Sequence, residues 1–165
     1  TIYSISIGEG ELLTTPMHMA NLAAILANKG YYVTPHAVRG SAGIQRIETE
    51  ISSRHYDAVI RAMSMVINTT EGTGTRAATP GIEVCGKTGT VQNPQGNHSV
   101  FIAFAPAENP KIALSVYMEN AGAGGDWAAP IASLMIEKYL HREVTQSAKE
   151  QRIIEATYPF PDKPL

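Results

Sequence analysis

Lys87, Thr88, Gly89 and Thr90 are the residues of this chain whose types and spacing offer chemistry. They lie within Val84-Cys85-Gly86-Lys87-Thr88-Gly89-Thr90-Val91-Gln92, where apolar residues lead in and carry on afterwards, the pattern of a strand. Side chains alternate faces along a strand, so Thr88 and Thr90 share one side while Lys87 and Gly89 share the other. Hydroxyls and an ammonium on one short edge can hold a carboxylate. A glycine marks a place where a second backbone comes close, and Gly89 leaves the strand's N–H and C=O groups open to an extended peptide lying antiparallel along it. Taken alone, the tripeptide Lys-Thr-Gly equally fits a surface strand with an exposed lysine.

The flanking sequence supplies the elements that would position that edge. Upstream, Thr14 or Thr15 caps a helix with Pro16 in its first turn, Met19, Leu22, Ala23 and Leu26 on one face, and Lys29-Gly30 at its end. Ser52 or Ser53 caps a second helix with Tyr56, Val59, Ile60, Met63 and Ile67 at helical spacing. Between them, 31–38 and 45–51 read as short extended or edge segments around a turn at Gly40–Gly43, and Ile2–Ile7 reads as a strand end or extended loop. A Thr- and Gly-rich loop, 69–75, leads to the Lys-Thr-Gly strand. Beyond it, Asn93-Pro94-Gln95-Gly96-Asn97 is a turn, 98–105 a strand, Glu108-Asn109-Pro110 a turn and 112–118 a third strand. Connections this short make antiparallel neighbours, so the three strands form a meander with the Lys-Thr-Gly strand at one edge. After the Ala121–Gly125 glycine loop, a helix spans about 127–141, with Pro130 in its first turn and Ala132, Met135, Ile136 and Tyr139 on one face. From Val144 the chain is charged, then Pro-rich, and is expected to be a poorly ordered tail with at most a short helix around Gln151.

Bulk properties narrow the function classes. The 165 residues are 44% hydrophobic, enough for the core of a domain of ordinary size. A net charge of −2 without a basic run excludes a nucleic-acid partner, and no stretch is apolar and long enough to span a bilayer. The single cysteine, Cys85, forms no internal disulfide and reads as a small buried residue. The histidines show no metal-ligand pairing, and no cofactor is implied. The chain opens at Thr1 without an initiator methionine and is expected to be a piece of a longer protein.

Four ordered blocks resemble the transpeptidase domain of class B penicillin-binding proteins, and most of all the penicillin-binding protein 2 type that serves cell elongation. They are Ser6-Ile7-Gly8-Glu9-Gly10 with Thr15-Pro16-Met17-His18-Met19-Ala20; Gly86-Lys87-Thr88-Gly89-Thr90-Val91-Gln92; Asn97-His98-Ser99-Val100-Phe101-Ile102-Ala103-Phe104-Ala105-Pro106; and Glu119-Asn120 with the glycine loop and Ala128-Ala129-Pro130-Ile131-Ala132. Lys-Thr-Gly is itself a signature of that family and of its β-lactamase relatives. The resemblance implies a mixed α/β (α+β) fold, the C-terminal part of the penicillin-binding/β-lactamase-like transpeptidase fold, with residues 1–143 inside that domain and 144–165 a tail. It implies serine acyl transfer at the D-Ala-D-Ala end of peptidoglycan stem peptides, acylation by β-lactam antibiotics, contact with the cell-elongation machinery, and a place on the periplasmic face of the inner membrane. It gives Lys87 the role of positive potential beside the active-site serines. Thr88 and Thr90 hold the substrate carboxylate, the Thr90 backbone N–H donates to the oxyanion, and Gly89 keeps the strand accessible. His98 and Asn120 would border the cleft, although a histidine at a strand start also fits a hydrogen-bonded surface group. Trp127 would shape its rim or pack a helix start.

The departures carry equal weight. No serine here is followed by lysine at the third position or by asparagine at the second, so the nucleophile with its base and the Ser-x-Asn motif are absent. The chain is expected to be inactive alone and to expose the 112–118 edge, inviting self-association. A division-specific sibling, a β-lactamase relative and a non-catalytic scaffold of the same fold are the alternatives.

Overall fold

The computed structural model describes residues 2–8, 10, 12–38 and 45–157. The expected Gly40–Gly43 turn and the last residues of the Pro-rich tail lie outside them. The chain opens with α1 (Ile2–Ser6), not the extended segment anticipated. β-branched and aromatic side chains favour a strand only where a neighbour can pair with it. Here the backbone closes locally, through Gly8 N–H to Ile5 O at 3.0 Å and Ser6 Oγ to Tyr3 O at 2.8 Å.

In α2 (Pro16–Ala27) the cap is Thr15, whose Oγ1 accepts from His18 N–H at 3.3 Å while Thr15 N–H donates to His18 Nδ1 at 3.4 Å. This is a capping box with histidine where glutamate or glutamine is usual. Lys29 and Gly30 end the helix at positive φ, with Gly30 N–H bonded to Ile25 O at 3.0 Å. β1 (Tyr31–Val33) and β2 (Arg46–Glu48) form a short antiparallel ladder that pairs Tyr32 with Ile47. In α3 (Ser53–Asn68), Tyr56, Met63 and Ile67 are buried as the spacing requires, but Val59 is 43% exposed. The apolar positions from Tyr56 to Ile67 drift round the helix, leaving Val59 on the flank of the stripe. Ser52 precedes the helix without a side-chain cap bond.

A 3-10 turn (Thr75–Ala77) leads to the expected meander, β3 (Cys85–Val91), β4 (His98–Ala105) and β5 (Ile112–Met118), antiparallel throughout in the order β3-β4-β5. Register sets Thr88 opposite Phe101, Gly89 opposite Val100 and Thr90 opposite Ser99. Among the described residues no strand pairs with the outer side of β3 or of β5. The main core lies between the sheet and α4 (Ala128–His141), joining Phe101, Ala103, Leu114 and Val116 to Ala129, Ala132 and Ile136. On the other face, toward α2 and α3, Cys85, Phe104 and Met63 form a smaller cluster. The buried face of α4 differs from the one expected: Met135 and Tyr139 are 45% and 47% exposed, while Ser133 and Glu137 are buried. Alanines at 128, 129 and 132 let α4 approach the sheet closely, and that turns the polar pair toward the following segment. That segment is not loose: α5 (Ser147–Ile154) folds back after Arg142 at φ 67° and packs against α4. No described helix is long and apolar enough to cross a membrane.

Candidate active site

β3 is one of the two edges of the sheet among the described residues, and its two halves are made differently. Cys85 and Gly86 are buried. A Cβ at Gly86 would lie 2.6 Å from Phe101 Cζ, so packing alone demands glycine there. Burial, with the Glu83 charge behind it, pushes the Cys85 thiol up to about 11, which leaves it inert as a nucleophile. From Lys87 onward the strand emerges. Thr88 and Thr90 turn their hydroxyls into a cleft of about 440 Å³, lined as well by Thr73, Arg76 and Gly124–Asp126.

The cleft is held by a short network. Thr73 Oγ1 and Thr88 Oγ1 are 2.8 Å apart, and Gly124 N–H donates to Thr90 Oγ1 at 3.3 Å. Ser99, opposite Thr90 and fully buried, donates from Oγ to Ala123 O at 2.9 Å and accepts from Ala128 N–H at 3.1 Å. It thereby fixes both the glycine loop and the start of α4. Arg76 and Asp126 form an ion pair at the cleft's outer wall. A second backbone does approach Gly89, that of Gly124, but the residue without room for a side chain is Gly124: its Cβ would fall 2.3 Å from Gly89 O and 2.4 Å from Val100 O. A Cβ at Gly89 would meet only Val100, at an ordinary 3.4 Å. Gly125 is equally constrained, 2.5 Å from Thr73 O.

The expected site residues therefore divide. Thr88 and Thr90 come together on the cleft, and Gly89 lies between them with the Gly124 backbone against it. Lys87 projects from the opposite face, exposed, its Nζ donating to Thr88 O at 2.7 Å. His98 and Asn120 sit together at the hairpin end of the sheet, and neither lines the cleft. Asn120 N–H donates to His98 Nδ1 at 3.0 Å, which leaves Nε2 facing the Asn93 side-chain amide at 3.1 Å, and the ring packs on Tyr117 with centroids 5.4 Å apart. Gly122 N–H to Asn97 O at 2.8 Å completes this tie between hairpin and glycine loop. Thr73, Arg76, Ser99 and Asp126 escaped the sequence reading. Only Ser99 carried a signal, as a lone hydroxyl at a core-facing place in an apolar strand.

Residues 1–137 match the model of the penicillin binding protein transpeptidase domain. The peptidoglycan D,D-transpeptidase MrdA of Haemophilus influenzae is 32% identical over 88% of this chain, which spans 27% of that protein's length. An imipenem acyl-enzyme complex of penicillin-binding protein A from Mycobacterium tuberculosis aligns with a TM-score of 0.68 at 31% identity, over 83% of this chain and 33% of that one. Penicillin-binding protein 2 from Helicobacter pylori, in its complex with MreC, aligns with a TM-score of 0.71 at 25% identity, over 82% of this chain and 26% of that one. With its hydroxyl-lined edge strand, its glycine loop and these likenesses, the chain belongs to the penicillin-binding protein transpeptidase family, and within it to the penicillin-binding protein 2 type.

Proposed function

We propose that this chain forms one wall of a peptidoglycan D,D-transpeptidase that cross-links stem peptides by serine acyl transfer. The observation that carries the reading is the pair of hydroxyls, Thr88 and Thr90, facing one cleft along an edge strand whose outer side pairs with no strand among the described residues. A D-Ala-D-Ala terminus laid antiparallel on β3 places its carboxylate at those hydroxyls. A serine outside this chain attacks the penultimate carbonyl, the Thr90 N–H donates to the resulting oxyanion, and D-alanine leaves with the proton. An amine of a second stem then takes the acyl group and frees the serine. Lys87 contributes positive potential from beside the strand. His98 and Asn120 hold the hairpin against the glycine loop and act on the site only through it.

β-Lactams enter by the same route as mimics of the terminal amide. The working enzyme stands at the periplasmic face of the inner membrane within the elongation machinery, as the relative bound to MreC suggests. The chain alone is inactive because it holds no Ser-x-x-Lys. The outer side of β5, unpaired among the described residues, drives self-association of the isolated chain, and sedimentation at rising concentration tests this, a monomer throughout counting against it. Intact mass after incubation with benzylpenicillin tests the main reading, on the chain alone and mixed with the separately made upstream part of its parent. An adduct on the upstream part only in the mixture supports it. No adduct in a mixture that associates leaves a non-catalytic scaffold of the same fold.

A further inference from the structure

Helix α5 follows the residues matched to the family, 1–137, and no described residue of it is buried. Its attachment is polar instead. Gln146, Lys149 and Arg152 recur at every third position and fall along one side of the helix. Gln146 Nε2 donates to Ser133 Oγ at 3.0 Å and to Glu137 Oε2 at 3.1 Å. Lys149 Nζ donates to Ser133 Oγ at 2.8 Å and to Ala78 O at 3.0 Å. Ala78 caps the 3-10 turn that carries Arg76. Arg152 donates from both terminal nitrogens to Asp126 O at 3.3 Å, and its guanidinium lies 4.4 Å over the Trp127 ring. Arg76 and Asp126 are the two halves of the ion pair in the cleft wall. One face of one helix thus bonds the backbone of Asp126 and, at Ala78, that of the turn which carries Arg76.

We infer that α5 is a positioning strap for the cleft, with Lys149 and Arg152 fixing the Arg76–Asp126 wall that lines it together with Thr88 and Thr90. Hydrogen bonds aimed at single carbonyl oxygens fix direction and distance, whereas apolar burial would only hold the helix near. Lys149 reaches Ala78 despite the burial that lowers its pKa, a cost the Glu137 charge offsets in part. Arg152 sets Asp126, and through it the direction of the Arg76 guanidinium. The wall then keeps one width, and a ligand's carboxylate meets the threonines in one pose. Neither Lys149 nor Arg152 touches the ligand.

The inference rests on the acyl-transfer reading of the cleft, and the test separates the two. In the complete protein that carries this chain, acylation by a fluorescent penicillin is followed over a concentration series that resolves the saturation constant from the limiting rate. R152A raises the saturation constant about three- to tenfold and leaves the limiting rate and the melting temperature in place. R152K recovers part of the loss by keeping one bond to Asp126 O. K149M acts in the same direction, and E155A, on a residue whose side chain accepts from Gln151 and makes no bond to the cleft wall among the described residues, changes nothing. Wild-type protein that takes no penicillin overturns the functional reading. Wild-type protein that is acylated while R152A and K149M match it overturns the strap alone. A fall in limiting rate and melting temperature together in R152A, without a change in saturation constant, makes α5 a stability element and also overturns it. Should K149M fail to fold, the R152A and R152K pair decides.

Discussion

The two faces of the β3-β4-β5 sheet are unequally finished. Toward α4 a continuous core joins Ile67, Phe101, Leu114, Val116 and Ile136, and Thr88 and Thr90 look out along this same face. Toward α2 the cluster is thin, built on Cys85, Phe104 and Met63, and Leu22 of the covering helix stays 41% exposed. Lys87 emerges on this second face and, among the described residues, its ammonium bonds its neighbour's carbonyl. The face that carries the two hydroxyls is thus pre-formed by the chain's own packing, and the face that carries Lys87 is packed more thinly.

Core truncations test the asymmetry most strongly. Phe101→Ala, emptying the fully buried heart of the α4 face, should cost about 3–5 kcal/mol in urea unfolding, while Leu22→Ala on the α2 face should cost less than about 1 kcal/mol. Equal losses would break the comparison. Gly124→Ala should cost about 1–3 kcal/mol, because its Cβ collides with backbone at Gly89 and Val100. It should also slow penicillin acylation of the complete protein, and normal acylation would show that the cleft lining yields.

Glu137 sharpens the same contrast. It is 1% exposed, and although burial raises its pKa, the bonds from Thr145 and Gln146 outweigh that and hold the carboxyl below its ordinary 4.5. A carboxylate lowered on folding stabilises the fold above its unfolded pKa and loses that contribution as pH falls through the folded value. Glu137→Gln should therefore cost about 1–3 kcal/mol at neutral pH and lose part of the decline in stability between pH 7 and about pH 3. An unchanged acid profile would remove Glu137 as its source. The helix start on the α2 side gives another small effect, where Thr15→Ala should cost about 1 kcal/mol by opening the capping box with His18. A loss matching that of Phe101→Ala would mean that the thinner face carries more of the stability than its burial indicates.

Much of this was legible in the sequence, and what was missed has a common cause. Strand-like runs separated by Asn-Pro-Gln-Gly-Asn and Glu-Asn-Pro specified the meander, and Thr15-Pro16 marked a helix start, because turn and cap signals act within a few residues. Alternation along β3 alone put Thr88 and Thr90 on one side. The rotation of α4 was hidden because it depends on Ser133 and Glu137 finding partners in a segment that composition marked as a tail. Arg76 and Asp126 are 50 positions apart, and nothing local in either announces the other. The tight glycine was sought at 89, inside the motif, whereas the missing space is at 124, which only the folded approach of two loops reveals.

That approach also bears on how such a cleft can change over generations. Gly124 lines it while packing main chain against main chain on Gly89 and Val100, and main chain is common to nearly all residue types. Substitution at the rim, at Ala123 or Thr75, can alter what the cleft prefers without disturbing its depth, whereas drift at 124 alters the depth itself. A scan of every replacement at each position should therefore find broad tolerance at 123 beside near-intolerance at 124, so that variants with new ligand preferences arise at the edge of an inherited shape.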